Sequence, residues 1–282
     1  MHPVLFTWEL PEWLTNTFSF LPDTLSPKTY GTMIALGILA SWLYGTRAAA
    51  KFGVKKDTIT DMFLWLIISS FLGGKFFFYL EDPGHYFADG NWMKNMGNGF
   101  VFYGSMIFAF PTLWWFFKRR KIPALKMIDV IAVGGALVHM FGRIGCFMAG
   151  CCHGVPTDSW LGVVFTDPAC SARPLDTALY PTQLFSVGML VIILSVLFFV
   201  KSRKKFDGQL FPIYLMMYSI GRSIIEEFRG DEARGFIMDG WLSHSQFISI
   251  FIFLGAAIFY YVLYRRHKAN SVTATSEEQG QS

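Results

Sequence analysis

The sequence has few charged residues, no internal repeat and no signal peptide at its start, and each shortage excludes a class of protein. Charged residues make up 16% of the chain, whereas a typical soluble domain has about a quarter. No segment recurs with a period of about 20–50 residues, which excludes a repeat architecture. The first segment lacks a basic start followed by a long apolar core, so we do not expect it to be a cleavable signal. Hydrophobic residues are abundant instead, at 53% of 282.

These apolar residues are grouped into runs that are long enough to cross a bilayer, which takes about 20 residues. The composition therefore predicts an all-α polytopic membrane bundle of about seven transmembrane helices. The connections are too short for a second folded domain, so we expect one transmembrane domain over 1–267, a longer external loop at 150–180 and a disordered polar tail at 268–282. The predicted spans are 29–49, 58–80, 98–117, 127–149, 181–200, 208–228 and 245–264.

The basic residues predict the orientation of this bundle. Sixteen of the 24 Lys and Arg residues lie in alternate connections, in the segments TRAAAKFGVKK, KRRKIPALK, KSRKK and YRRHK. Cytoplasmic loops carry such an excess, so we expect an external amino terminus and a cytoplasmic carboxyl terminus. Because the charges are divided among short loops at membrane ends, they indicate anchoring to the bilayer and not binding of nucleic acid.

Most of the remaining polar residues fall on the predicted outer side of the membrane. Arg222, Glu226 and Arg229 follow the spacing i, i+4, i+7, which places them on one face of a helix. His139, Arg143 and Cys146 have the same spacing on the fourth span. Two cationic stripes at one depth predict a basic pocket, and the planar guanidinium group matches phosphate oxygens. Tyr30, Tyr103 and Gln183 lie at the same outer level.

A purely structural interpretation of these charges is also open. Arg222 and Glu226 have the spacing of an intrahelical ion pair, and Arg143 can extend to the outer headgroups. However, the three arginines have one obvious acidic partner between them, and the excess positive charge favours an anion site.

The motifs of the chain resemble those of bacterial prolipoprotein diacylglyceryl transferases over nearly all seven spans. The resemblance includes KTYGTMIALG, GNGFVFYGS, GRIGCFMAG, YPTQLF, RSIIEEFRGD and SHSQFISI. It implies an enzyme of the bacterial inner membrane, without a cofactor, that acts at the outer leaflet. Such enzymes transfer a diacylglyceryl group from phosphatidylglycerol to the lipobox cysteine of a preprolipoprotein. A thioether forms, and glycerol phosphate is released.

The resemblance also implies which residues form the site. Arg143 and Arg222 would bind the lipid phosphate, with Glu226 and Arg229 in support. The implied substrate-binding set is Tyr30, Arg143, Gly145, Cys146, Gly154, Gln183, Arg222 and Arg229.

The chain departs from the family pattern at three positions. Cys146 replaces an asparagine, Cys151 replaces a glutamate, and Tyr103 replaces the histidine of a His-Gly-Gly motif. The base must therefore be another residue. An adjacent cation favours the nucleophilic thiolate of the acceptor. His139 is the candidate that takes the thiol proton, because its ordinary pKa lies near neutrality. Tyr103 is a second candidate, as donor or orienting group.

The four cysteines, Cys146, Cys151, Cys152 and Cys170, allow several interpretations. A disulfide between Cys170 and either Cys151 or Cys152 would pin the external loop, but the sequence cannot choose a pairing. No metal site is predicted, because adjacent Cys151 and Cys152 with His153 lack the usual C-x-x-C spacing. Two other functions stay open: a membrane thiol–disulfide oxidoreductase, and a non-catalytic phospholipid-binding relative of the transferase.

Overall fold

The computed structural model describes residues 2–11, 13, 24–87, 99–229, 236–237 and 242–280. Its long elements are helices, and the strands form three two-residue antiparallel pairs. The helices are α1 (Thr29–Ala50), α2 (Lys56–Glu81), α3 (Pro83–Phe87), α4 (Phe102–Arg120), α5 (Ala124–Ala149), α6 (Thr182–Ser202), α7 (Leu210–Glu226) and α8 (His244–Gly280). The strand pairs are β1 (Trp8–Glu9) with β2 (Thr24–Leu25), β3 (Val163–Val164) with β4 (Ala178–Leu179), and β5 (Phe236–Ile237) with β6 (Leu242–Ser243).

The helical architecture confirms the predicted all-α polytopic membrane fold. In the described part of the chain, five helices are long and apolar enough to cross a bilayer, namely α1, α2, α5, α6 and α8. The other two predicted spans are also helices: α4 contains Pro111 and ends on three basic residues, and α7 has 17 residues. Large apolar side chains on the spans are exposed, such as Ile192 at 61% and Phe251 at 60%. Lipid tails would cover such faces.

The chain divides into two compact units, and the single domain over 1–267 stays a prediction. One unit comprises Met1–Ser41 with Ile128–Ser282, and the other comprises Trp42–Met127. In the second unit, α2 packs closely against α4 because glycines meet at the crossing. A Cβ on Gly73 would lie 2.4 Å from the carbonyl oxygen of Gly104. An ion pair of 2.7 Å between Asp61 and Arg120 joins the other ends of these helices.

Glycines also bring helices together in the first unit, which holds most of the predicted site. A Cβ on Gly145 of α5 would lie 3.1 Å from the Cβ of Met33 on α1. A Cβ on Gly221 of α7 would lie 2.1 Å from the sulfur of Met189 on α6. Small residues at such crossings let helix backbones approach in the absence of water. The crossings therefore place α5 against α1 and α7 against α6.

Asp129 of α5 fixes the start of α7. Its carboxylate accepts hydrogen bonds from the backbone N–H groups of Gly208 and Leu210, at 2.9 and 2.7 Å. It also forms a 3.1 Å ion pair with Lys204. Burial alone would lower the pKa of Lys204, but hydrogen bonds with Asp207 and Asp129 raise it above its ordinary value. An acidic side chain at a helix amino terminus satisfies unpaired N–H groups, so this contact stabilises the bundle.

The segment between α5 and α6 forms a long loop, as predicted. Phe165, Cys170, Ala172 and Leu179 make a small buried cluster within it. The backbone N–H of Val155 donates to the carbonyl of Phe228, which attaches the loop to the chain just after α7.

The last helix, α8, continues to Gly280, and the disordered tail over 268–282 stays a prediction. Extending an existing helix adds one hydrogen bond per residue fixed, without a new nucleation cost.

Candidate active site

A polar contact joins α5 to α7 in the middle of apolar helices. Arg143 Nε lies 3.4 Å from His139 Nε2, so the guanidinium donates to the imidazole. The other ring nitrogen, Nδ1, lies 3.4 Å from the hydroxyl oxygen of Tyr214. The ring of Tyr218 also packs beside His139, with 5.0 Å between the ring centroids. The predicted stripe on α5 therefore faces α7, and both nitrogens of His139 have a neighbour.

Arg222 of α7 is held from two sides. Its guanidinium forms a 2.5 Å ion pair with Glu226 one turn later, and it donates to the hydroxyl of Ser245 on α8 at 3.0 Å. The side chains of Arg222 and Glu226 are only 11% and 9% exposed. Close to this pair, the amide of Gln246 donates to Glu227 at 2.6 Å. The start of α8 and the end of α7 thus fix the guanidinium in one orientation.

The two arginine-bearing helices bring their positive charges together. His139 lies within electrostatic reach of both Arg143 and Arg222, and Arg222 lies within electrostatic reach of Arg143. Arg229 adds to the same field. However, α7 ends at Glu226, so Arg229 lies in the turn that follows and not on the predicted helical face. These residues form a cluster of positive charge, here called the basic pocket, of the kind that attracts an anion.

Three of the four thiols converge next to this pocket. The sulfur atoms of Cys146, Cys151 and Cys152 all lie within 4.8 Å of one another, and each side chain is half-buried. Cys146 is in the last turn of α5, whereas Cys151 and Cys152 follow the helix. Arg143 and Arg229 are both close enough to stabilise a negative charge on Cys152.

The first turn of α6 holds the backbone that carries the adjacent cysteines. The hydroxyl of Thr182 donates to the carbonyl of Cys152 at 2.6 Å, and the amide of Gln183 donates to the carbonyl of Cys151 at 2.7 Å. Both of these α6 side chains are buried. Cys152 has a positive φ of 62°, which is unfavourable for a residue with a Cβ. Neighbouring side chains on extended backbone point to opposite sides, so this turn brings the two thiols together.

Hydrogen bonding within the cluster distinguishes its thiols. Hydrogen bonds from Cys146 and Cys151 lower the pKa of Cys152, and the guanidinium groups of Arg229 and Arg143 act in the same direction. The pKa of Cys151 is raised, because its proton is shared with Cys146 and Cys152.

The disulfide of Cys170 with Cys151 or Cys152, one of the interpretations that the sequence allows, is not formed: all four cysteines are free thiols. Cys170 is 2% exposed and packs in the apolar cluster of the loop instead. His153 is also turned away from the thiols. Its Nδ1 contacts the carbonyl of Gly154 at 2.9 Å, and its Nε2 accepts from the backbone of Arg173 at 3.4 Å.

The other predicted site residues lie around the same pocket or in the other unit. Tyr30, at the start of α1, is within electrostatic reach of the three thiols and of Arg143. Gly145 is a helix-packing position, as described above. Gly154 is where the loop meets the end of α7, since a Cβ there would lie 2.2 Å from the carbonyl oxygen of Phe228. Tyr103 belongs to the second unit, where its side chain is 62% exposed.

Several residues of the pocket were not identified from the sequence, namely Tyr214, Tyr218, Thr182 and Ser245. A signal for the two tyrosines exists, because Tyr214, Tyr218 and Arg222 are spaced by four residues on one helix. The sequence carries no comparable signal for Thr182 or Ser245, whose partners lie 30 and 23 residues away.

Comparison with known proteins agrees with this geometry. Residues 18–262 match the family model described as prolipoprotein diacylglyceryl transferase. A relative from Clostridium tetani, named phosphatidylglycerol–prolipoprotein diacylglyceryl transferase, is 37% identical over 82% of this chain and 91% of its own length. A relative from Clostridium perfringens with the same name, numbered 2, is 36% identical over 82% of this chain and 89% of its own. A relative from Rickettsia bellii with that name is 30% identical over 83% of this chain and 90% of its own length. The chain therefore belongs to the prolipoprotein diacylglyceryl transferase family.

Proposed function

We propose that this chain transfers a diacylglyceryl group from phosphatidylglycerol to the lipobox cysteine of preprolipoproteins in the bacterial inner membrane. The sulfur of the acceptor forms a thioether with a glyceryl carbon, and glycerol phosphate leaves. The observation that carries the proposal is the pair of guanidinium groups on α5 and α7, which share one pocket between apolar helices. Membership of the transferase family supports the choice of reaction.

The arginines would bind the lipid phosphate and stabilise the charge that develops on the leaving group. In the described part of the chain, the hydrogen bond from Arg143 to His139 uses Nε. This orientation leaves the terminal nitrogens of Arg143 to approach a phosphate. Arg222 is oriented by Glu226 and Ser245. Donors that are held in place before the reaction stabilise developing charge most effectively in a water-poor site.

The contacts of His139 support a positioning role in place of the predicted role as base. Its Nε2 atom accepts a hydrogen bond from Arg143, and Nδ1 faces the hydroxyl of Tyr214. A base needs a free lone pair within reach of the proton that it removes. We therefore assign His139 to holding Arg143, and Tyr103 remains a candidate for orienting a substrate.

The orientation follows from the charge pattern. We propose that α4 and α7 also cross the membrane, with the amino terminus outside and the basic connections in the cytoplasm. The pocket would then face the outer leaflet, where secreted preprolipoproteins present their lipobox.

The test is rescue of a bacterial strain depleted of its own transferase. We expect mass spectrometry to detect a diacylglyceryl thioether on a reporter lipoprotein when this chain is expressed. Arg143→Ala should reduce transfer by about 100-fold or more, as for removal of one donor to developing charge. Arg120→Ala is the matched control, because its ion pair is half-exposed and such pairs contribute little to stability. Wild-type transfer by a correctly inserted Arg143→Ala protein would refute the phosphate assignment.

A further inference from the structure

The three clustered thiols have no role in the anion site, yet several features of the chain hold them together. Cys146, Cys151 and Cys152 come from a helix end and the loop after it, and their sulfurs lie within 4.8 Å. The buried side chains of Thr182 and Gln183 fix the carbonyls of the two adjacent cysteines. The positive φ of Cys152 is a strained conformation. Such strain tends to be found at functional sites, and three convergent soft donors indicate a shared ligand.

We propose that Cys146, Cys151 and Cys152 bind one Zn²⁺ ion through their sulfurs, with the fourth position open for the thiol of the acceptor cysteine. This inference rests on the proposed transferase function. Zinc–sulfur bonds of about 2.3 Å in a tetrahedral site place the sulfurs about 3.8 Å apart. The observed limit of 4.8 Å is larger by an amount that small side-chain rotations can close. Three protein ligands and an open position are typical of catalytic zinc sites.

The charges around the cluster suit such an ion. Zn²⁺ with three thiolates has a net charge of −1, which becomes −2 when a substrate thiolate binds. The guanidinium groups of Arg143 and Arg229 both act on Cys152 and would offset that charge. Thiolate sulfur also selects zinc over the hard cations magnesium and calcium.

The site would supply what the anion pocket lacks, an activated nucleophile. A thiol that binds Zn²⁺ loses its proton, which passes to water. The sulfur then donates an electron pair to the glyceryl carbon of phosphatidylglycerol as the bond from that carbon to the phosphate oxygen breaks. Glycerol phosphate leaves with both electrons of that bond, and the thioether dissociates from the metal. Because Arg143 is next to the thiols and in the anion pocket, nucleophile and leaving group would meet at one place.

Two nearby residues are excluded from the ligand set by their contacts. His153 has contacts at both ring nitrogens within the loop. Cys170 is buried among Phe165, Ala172 and Leu179. The fourth protein cysteine is therefore a matched control for the other three.

The first experiment measures zinc in the purified full-length chain in detergent by inductively coupled plasma mass spectrometry. We expect one zinc per chain, lost in Cys146→Ala, Cys151→Ala and Cys152→Ala and retained in Cys170→Ala. Replacing zinc with Co²⁺ gives a direct view of coordination, because sulfur-to-cobalt charge-transfer absorption reports thiolate ligands. A lipobox peptide with cysteine should change this spectrum, and the same peptide with serine should not. Equal zinc content in all four variants would overturn the proposed zinc site.

The second experiment separates this inference from the proposed function. Removal of zinc by a strong chelator should lower transfer by about 100-fold or more, the effect typical of losing proton-transfer catalysis, and added zinc should restore it. Full transfer by metal-free protein would overturn the zinc inference and leave the transferase function intact. If the protein binds zinc specifically but transfers nothing to a lipobox peptide, the proposed transferase function is refuted. The proposed binding of the acceptor thiol at the open position is then refuted as well.

Discussion

The ion pair between Arg222 and Glu226 allows stability and catalysis to be tested separately. Both side chains are about nine-tenths buried, and their charged atoms lie 2.5 Å apart. Arg222→Met would leave the carboxylate of Glu226 without its partner in a poorly solvated place. Breaking a buried pair by removing one member costs about 3–5 kcal/mol. We therefore expect the single variant to lose that much unfolding free energy, together with its transferase activity.

The double variant Arg222→Met/Glu226→Leu removes both charges and keeps side chains of similar size. Replacing a buried pair with apolar residues is often neutral or stabilising, so we expect its unfolding free energy to lie within about 1 kcal/mol of the wild type. Its activity should stay absent, because the guanidinium that binds the phosphate is gone. Stability is measured by detergent titration in mixed micelles, and activity by lipidation of a reporter lipoprotein.

Two results would refute this reasoning. A double variant that transfers at the wild-type rate would show that Arg222 has only a structural role, which is the interpretation that the sequence leaves open. A single variant as stable as the double variant would show that burial without its partner does not destabilise the carboxylate of Glu226. Recovery of stability without activity is the outcome that the phosphate-binding role requires.

Three further predictions concern packing, capping and an ion pair. Gly154→Ala should lower the free energy of unfolding by about 1–3 kcal/mol, as overpacking does, because its Cβ would lie 2.2 Å from the carbonyl oxygen of Phe228. It should also expose the loop between α5 and α6 to limited proteolysis. Gly135→Ala is the control, since no atom lies within 4 Å of its Cβ. Asp129→Ala should destabilise the protein by about 2 kcal/mol through loss of a helix cap while leaving the anion pocket unchanged. Because the pKa of Lys204 is raised, its ion pairing contributes fully to the free energy of unfolding below about pH 10.4. This contribution is lost only as the pH rises through the folded-state pKa. The difference in unfolding free energy between the wild type and Lys204→Met should follow the same course.

The helices could be predicted because the apolar runs are long and well separated by basic connections. The bounds were less accurate, as the span predicted over 208–228 shows. The helix there ends at Glu226, and the chain turns before Arg229. Three residues with the spacing i, i+4, i+7 share a face only while the helix continues. Arg229, the last member of the predicted stripe of Arg222, Glu226 and Arg229, therefore lies in the turn beyond the helix.

Contacts within one helix could be anticipated, and contacts between helices could not. The spacing of His139 and Arg143 predicts their proximity, whereas the approach of His139 to Tyr214 joins residues 75 positions apart. That approach depends on which faces of α5 and α7 meet. The thiol cluster is a stronger example, because it requires a positive φ at Cys152 and two polar side chains at the start of α6.

Two of the three departures from the family pattern, Cys146 and Cys151, lie together in space, which argues against loss of chemistry. Cys146 and Cys151 replace two polar residues that the pattern places five positions apart. Independent decay would leave unrelated side chains at these positions. Instead, both replacements are thiols, and their sulfurs lie within 4.8 Å of each other and of a third. A site that activates the nucleophile with substituted residues requires donors that converge beside both arginines, and the thiols have that arrangement. The non-catalytic alternative has no use for that arrangement.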